Sequence, residues 1–177
     1  NDEQGSPLAA RHLIALGHRN IAYISTDRGV SLSFSVKSRF NVFCDCCRKE
    51  GIEPQIVVCK VDHDGHYQIG DVVTQLMSLP QMPTAIACQE DGIALPLLFQ
   101  LERNGFAVPG DISLIGYDDS FYTNDIGLTT IRQDPAEMAR TAARMTLDLI
   151  QGHELSPAFV DVPAQLVVRS STASVRH

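Results

Sequence analysis

Basic residues are scarce in this 177-residue chain, where 14 lysines and arginines face 21 aspartates and glutamates for a formal net charge of −7. Binding nucleic-acid phosphates needs clustered lysine and arginine. Arg11, His12, His18 and Arg19 are the nearest thing to a cluster, so no DNA contact is expected from these residues alone. Long apolar runs are missing as well. None approaches the roughly 18 residues that span a bilayer, and the polar opening NDEQGSP lacks the charged-then-apolar pattern of a secretion signal. A soluble chain is expected. Three catalytic signatures are also wanting: a nucleophile elbow, a phosphate-cradling glycine loop after a strand, and a pair of acids spaced for acid and base work. An enzyme is not expected.

What is present describes an ordinary globular domain. The chain is 44% hydrophobic and 20% charged, and its length suffices for one domain with a real core. Five cysteines stand at 44, 46, 47, 59 and 88. That odd number, placed in one apparent helix and two apparent strands, is no disulfide framework. Reduced, buried thiols in a cytoplasmic protein fit better.

Strand and helix signals alternate along the chain. A helix over 5–16 stops at Gly17, and NIAYIS at 20–25 reads as a strand. A Ser- and Gly-rich loop precedes a helix over 37–49, then a strand at 55–59 and a helix over 67–79. TAIAC at 84–88 is a continuous apolar run of the kind buried on both faces of a parallel sheet. A helix over 91–104 carries Pro96, which removes a backbone hydrogen bond. Strands are expected at 112–117 and 128–133, with two short closing strands at 159–162 and 165–168. Four strand-then-helix repeats predict an α/β fold, a doubly wound parallel sheet with helices on both faces.

Two features stand out from that pattern. The strand at 112–117 ends in Asp118 and Asp119, and open parallel sheets bind ligands just past the carboxyl ends of their strands. Further on, Asp134-Pro135-Ala136-Glu137 is a strong helix start. The helix that follows, to about Gln151, has Met138, Ala142, Met145 and Leu149 on one stripe. Such a stripe needs a partner surface.

Long motifs run through nearly the whole chain: LAARHLIALGHRNIAYIS at 8–25, PTAIACQED from 83, VPGDISLIGYDDS at 108–120, LTTIRQD at 128–134 and LVVRSSTA at 166–173. In these the chain resembles the effector-binding region of the lac-repressor and galactose-repressor class of bacterial transcription regulators. The resemblance implies a periplasmic-binding-protein-like fold of two lobes with a sugar or other small metabolite between them. This chain matches the carboxy-terminal, flavodoxin-like lobe. On that reading, residues 1–128 form the lobe, 129–153 a crossover strand and helix belonging to the absent amino-terminal lobe, and 154–177 the return. The resemblance also implies a homodimer, with operator DNA bound only through an amino-terminal helix-turn-helix absent from this chain. No cofactor and no membrane partner is implied. A periplasmic solute-binding protein for a sugar shares the fold and is the rival reading. The cysteines and the LTTIRQD and LVVRSST motifs weigh against it. An enzyme of flavodoxin-like architecture is a third reading.

The resemblance assigns candidate ligand residues, each with a plainer alternative. Asp118 matches the ligand-contacting first acid of GYDD; a carboxylate there accepts two sugar hydroxyls, unless it merely caps a turn. Arg39, in SRFNVF, would fork onto ligand oxygens from the first turn of its helix, unless it is a solvated helix-face arginine. Val42 stands where the family usually has Gly. Glu90 replaces a common Asn, and with Asp118 it would make an acidic pocket suited to polyhydroxy or amino-bearing ligands. Asp91 is expected to be structural, as the cap of the next helix. The loop KVDHDGHY offers no Trp or Phe for stacking, leaving Tyr67, His63 or His66, while Ser33 and Ser35 are weaker candidates. His63 and His66 with Asp62 and Asp64, or Cys44, Cys46 and Cys47, tempt a metal reading; neither has the paired spacing of a structural zinc site, and no metal site is assigned.

Overall fold

The computed structural model describes residues 2–27, 33–154 and 157–175. Helix α1 (Asp2–Ala15) leads into β1 (Ile21–Thr26), α2 (Phe34–Lys49), β2 (Gln55–Cys59), α3 (Ile69–Met77) and β3 (Ala85–Cys88). Then follow α4 (Asp91–Arg103), β4 (Ser113–Asp118), the short α5 (Thr123–Ile126), β5 (Thr129–Arg132), α6 (Pro135–Ile150) and β6 (Gln165–Val167). The six strands form one sheet in the order β2-β1-β3-β4-β5-β6, parallel throughout except that β6 runs antiparallel to β5.

The sequence of β1 shows why this sheet is covered on both faces. Ile21 and Tyr23 pack into one core with Leu13 of α1, Phe43 and Cys47 of α2, Ala85, Ala87, Ile115 and Ile131. Ala22 and Ile24 pack into the other with Val72 and Leu76 of α3, Ile93 and Leu97 of α4, Ile86 and Leu114. Period-2 alternation sends successive side chains to opposite faces. Since both faces are apolar, the strand reads as one continuous run. Each large side chain buried this way contributes roughly 1.5–3 kcal/mol.

Three expectations need correction. Residues 159–162 form no strand, and Phe159 is exposed. The segment lies between Pro157 and Pro163, which cannot donate to a ladder, and β5 already has β4 and β6 as its neighbours. Helix α2 begins at Phe34 and not at 37, because Ser33 caps it by accepting from the Val36 N–H at 3.4 Å. That puts Arg39 in the second turn. Asp91 is not the cap of α4. Glu90 holds the cap position, and Asp91 opens the helix proper. Pro96 does lie inside α4, and the helix runs on through it to Arg103.

Buried polar groups tie the two ends of the sheet. At the amino ends of the strands, His18 is enclosed, with Nδ1 2.9 Å from the Thr84 hydroxyl and Nε2 3.0 Å from the Ala173 carbonyl and 3.1 Å from the Ser113 hydroxyl. The ring thereby joins β1, β3 and β4 to the returning chain. At the carboxyl ends, Asp91 accepts from the Ser120 N–H at 2.7 Å and the Thr130 hydroxyl at 2.8 Å. Gly116 lies directly beneath, where any Cβ would run into the Asp91 carboxylate.

Two predictions follow from these ties. Burial lowers the His18 pKa from its ordinary 6.5. Its contribution is therefore complete above about pH 6.5 and fades as pH falls through the lower folded value, because the unfolded chain binds the proton more readily. Asp91 runs the other way, its pKa raised by burial to about 6 against the partial relief of its two hydrogen bonds. The informative quantity is therefore a difference. His18→Gln should destabilise the chain by about 1–3 kcal/mol near neutral pH, and denaturation from pH 7.5 down to 5 should show that gap closing. A pH-independent gap would contradict the account of His18. Gly116→Ala should cost about 1–3 kcal/mol by overpacking, measured by thermal melting. An unchanged melting temperature would show that Asp91 is free to move aside.

Candidate functional site

The sheet changes winding direction at β1, whose sequence neighbour β2 lies on one side and β3 on the other. Crevices at such switch points, outside the carboxyl ends of the strands, are where open α/β sheets hold ligands. Gln89 closes the floor of this one. Its buried carboxamide oxygen accepts from the Thr26 N–H at 2.9 Å, the Ser25 hydroxyl at 2.9 Å and the Thr26 hydroxyl at 3.3 Å. One side chain thus welds the end of β3 to the end of β1. The sequence reading passed over Gln89, and only its place directly after TAIAC marks it.

Arg39 reaches over this floor from α2. Its guanidinium carbon sits 4.0 Å from the centroid of the Tyr117 ring, a cation–π placement. Its Nη1 donates to the Gln89 carbonyl and to Oδ1 of Asp118, each at 3.4 Å. The side chain is 12% exposed and that of Asp118 43%. Both distances are longer than the 2.7–2.9 Å of a tight charge-assisted bond. The two groups lie together at the mouth of the crevice, near enough to contact one small molecule.

Asp118 ends β4 in register with Arg132 of β5, and its backbone is unusual, with φ at 106° followed by 56° at Asp119. Two successive non-glycine residues with positive φ carry strain that the surroundings must offset. Asp119 supplies the offset. Its carboxylate receives Arg132 Nε at 2.6 Å, Arg169 Nη2 at 2.7 Å and the Thr123 hydroxyl at 2.9 Å. Burial tends to raise its pKa, but these bonds outweigh burial and hold it below the usual range. The sequence motif gave weight to the first acid of GYDD; the second proves to organise the corner. Its signal was in the same motifs, through the arginines of LTTIRQD and LVVRSST.

The remaining candidates fall into place unevenly. Tyr67 and Glu90 meet, the phenol donating to Oε1 of Glu90. Ser33 spends its hydroxyl as the α2 cap, and Ser35 lies half-buried in the first turn of that helix. His63 and His66 are exposed and pair with Asp64 and Asp62 at 3.2 and 3.5 Å. Asp62, Asp64 and His66 offer atoms within 4.8 Å of one another. Asp62, however, is engaged in shaping its loop, accepting from the backbone N–H groups of Asp64 and His66 and from Gln68 Nε2. The five thiols are free, four of them buried. Burial pushes Cys44 and Cys59 up to about 11 and Cys47 to about 12, which leaves them poor nucleophiles at neutral pH. No helix among the described residues is long and apolar enough to cross a membrane.

Comparison with known proteins agrees with this architecture. Residues 10–172 match the family model of the periplasmic binding protein-like domain. The transcriptional regulator GalR of Escherichia coli is 32% identical over 98% of this chain and 50% of its own length. The repressor CytR of the same species is 33% identical over 94% of this chain and 49% of its own. The chain thus spans about half the length of these curated relatives, which are regulators and not enzymes. Among solved structures, a LacI regulator from a Rhodococcus species superposes with a TM-score of 0.83 at 32% identity, covering 99% of this chain and 64% of that one. A LacI-family regulator from Enterococcus faecium, solved with bound ribose, gives 0.81 at 27% identity with the same coverage. The chain belongs to the family of periplasmic binding protein-like domains, in the form that LacI-type transcriptional regulators carry.

Proposed function

We propose that this chain is the effector-sensing lobe of a sugar-responsive bacterial transcription regulator. The observation that carries the reading is the meeting of Arg39 and Asp118 over the β1/β3 switch point. A guanidinium and a carboxylate held side by side offer donors and acceptors in the alternation that vicinal hydroxyls present. Relatives of the same type have been solved with ribose, which supports a sugar as the ligand. Ser33, Ser35, Tyr67 and Glu90 complete the proposed contact set.

The mechanism is a shift of population. Ligand gripped by this edge and by a facing lobe favours the closed relative orientation of the two, by as much as its affinity for the two orientations differs. Couplings of this kind are typically about 1–3 kcal/mol. A homodimer would pass the change to a DNA-binding module outside these residues, which places the protein in the cytoplasm beside its operator.

Helix α6 supports the division into lobe, excursion and return at 1–128, 129–153 and 154–177. None of its side chains is buried among the described residues, and Met138 and Leu149 lie open. The return segment borders a groove on the helix side lined by Glu137, Thr141, Met145 and Asp148. It leaves the rest of the apolar stripe uncovered. A facing lobe would cover it.

Two measurements test this. In the whole natural protein, calorimetric titration with galactose, ribose and cytidine should find a ligand, and Arg39→Ala and Asp118→Ala should each weaken it about 10- to 100-fold, the loss of a charged hydrogen bond of roughly 1.5–3 kcal/mol. Unchanged affinity in both variants would refute the site. Met138→Asp should leave the melting temperature of the 177-residue chain unaltered and lower that of the two-lobed protein. Equal effects in both would refute the proposed docking of α6.

A further inference from the structure

Among the described residues, the rim of the crevice carries more acid than base, and the way its acids are held limits what they can receive. Glu90 occupies the cap position of α4, yet its side chain makes no bond to the N–H groups of that helix. It is turned instead to Tyr67, whose hydroxyl donates to it. Gly92 permits this arrangement, because a Cβ there would press on the Glu90 carboxylate at 3.2 Å and on the Tyr67 ring at 3.3 Å. Burial, and then the bond and charge of Glu90 with a smaller push from Asp118, raise the Tyr67 pKa above its ordinary range. The phenol therefore stays protonated, with its single hydrogen committed to Glu90. Toward a ligand, this wall presents acceptor oxygens.

The basic side offers less. Arg39 shares its charge with Asp118, and Arg132 and Arg169 are drawn to Asp119. Among the described residues, two carboxylates, Glu90 and Asp118, thus stand at the crevice with the guanidinium of Arg39 beside the second of them. A phosphate or carboxylate entering here would meet like charge in a partly desolvated setting, where screening is weak. A hydroxyl or an ammonium would find acceptors waiting.

We propose that Glu90, held by Tyr67, sets the charge class of the ligand: the site takes neutral or amine-bearing polyols and turns away phosphorylated or carboxylated ones. This rests on the effector-site reading and narrows it. Rejection built from a repulsive group is a common source of specificity.

The test is a set of matched titrations on the whole protein: galactose against galactose 6-phosphate, ribose against ribose 5-phosphate, and cytidine against cytidine 5′-monophosphate, with galactosamine added. At least one neutral member should bind, and its phosphorylated partner should bind about 100-fold more weakly or worse, as repulsion across several ångströms implies. Glu90→Gln keeps the outline of the side chain and removes its charge, so it should shrink that gap to less than about tenfold, whatever the variant's affinity for the neutral ligand. Tyr67→Phe retains the charge, so the gap should persist. A phosphorylated sugar binding within tenfold of its neutral partner, or a gap that survives Glu90→Gln, would overturn the assignment of Glu90 and leave the effector site standing. No binding by any of the seven compounds would overturn both.

Discussion

Asp119 stands between two guanidinium groups, and the direction of its neighbour in the chain follows from that. Arg132 comes from β5, three residues after the strand begins, and Arg169 from the segment just past β6. A third contact, from Thr123, fixes the start of α5. Arg169 also donates through Nη1 to the Leu128 carbonyl at 2.7 Å and through its backbone N–H to the Thr129 hydroxyl at 2.9 Å, so it ties the start of β5 to the same corner. Removing one partner of a buried ion pair leaves the other charge uncompensated and typically costs about 3–5 kcal/mol. Arg132 is half-exposed, so its share is smaller. With Asp119 immobilised, the positive φ of Asp118 becomes the geometry that the corner imposes, and it sets the carboxylate of Asp118 beside Arg39.

The same corner explains why a buried acid sits one layer down. Asp91 takes the Ser120 N–H that follows Asp119 and the hydroxyl of Thr130 in the middle of β5. The start of α4, the β4–α5 turn and β5 are thereby joined through one carboxylate, and Gly116 is bare because the carboxylate fills its Cβ space. Gln89 does the equivalent for β1 and β3. Both are polar groups buried with their partners, which is the condition under which burial rigidifies and does not destabilise. The crevice is thus built on a stiff floor, and Arg39 and Asp118 lie above it.

How far the sequence told this story depends on the range of each interaction. Strand and helix were legible at NIAYIS and TAIAC because burial on both faces writes a local apolar run, and the order of the first five strands follows from winding rules. Arg39 and Asp118 were named through long motifs shared with a family; nothing in local spacing says that positions 79 apart will meet. Asp119, Asp91 and Gln89 were missed or misassigned for the same reason. Apart from Thr123, their cited partners lie 13 to 64 positions away, and an acid before an apolar helix reads as a cap until its partners are seen. Ser33 went the other way: the local rule for caps applied, and a ligand role was considered instead. The segment 159–162 was misread because apolar residues alone do not make a strand, and the prolines at 157 and 163 that flank it cannot donate to a ladder.

On the proposed reading, a lobe of this kind senses only in combination. Its two proposed contact surfaces, the Arg39–Asp118 pair and the uncovered stripe of α6, are connected through β5, which pairs with β4 beside Asp118 and runs into α6 after two intervening residues. On the proposed reading, a ligand drawing Arg39 or Asp118 toward a facing lobe and the docking of α6 would both act at the carboxyl end of that strand, where Asp118 is in register with Arg132. Neither contact alone needs to be strong. Differential binding of about 1.4 kcal/mol changes an orientation equilibrium tenfold, which is within reach of one charge-assisted hydrogen bond gained or lost at the mouth.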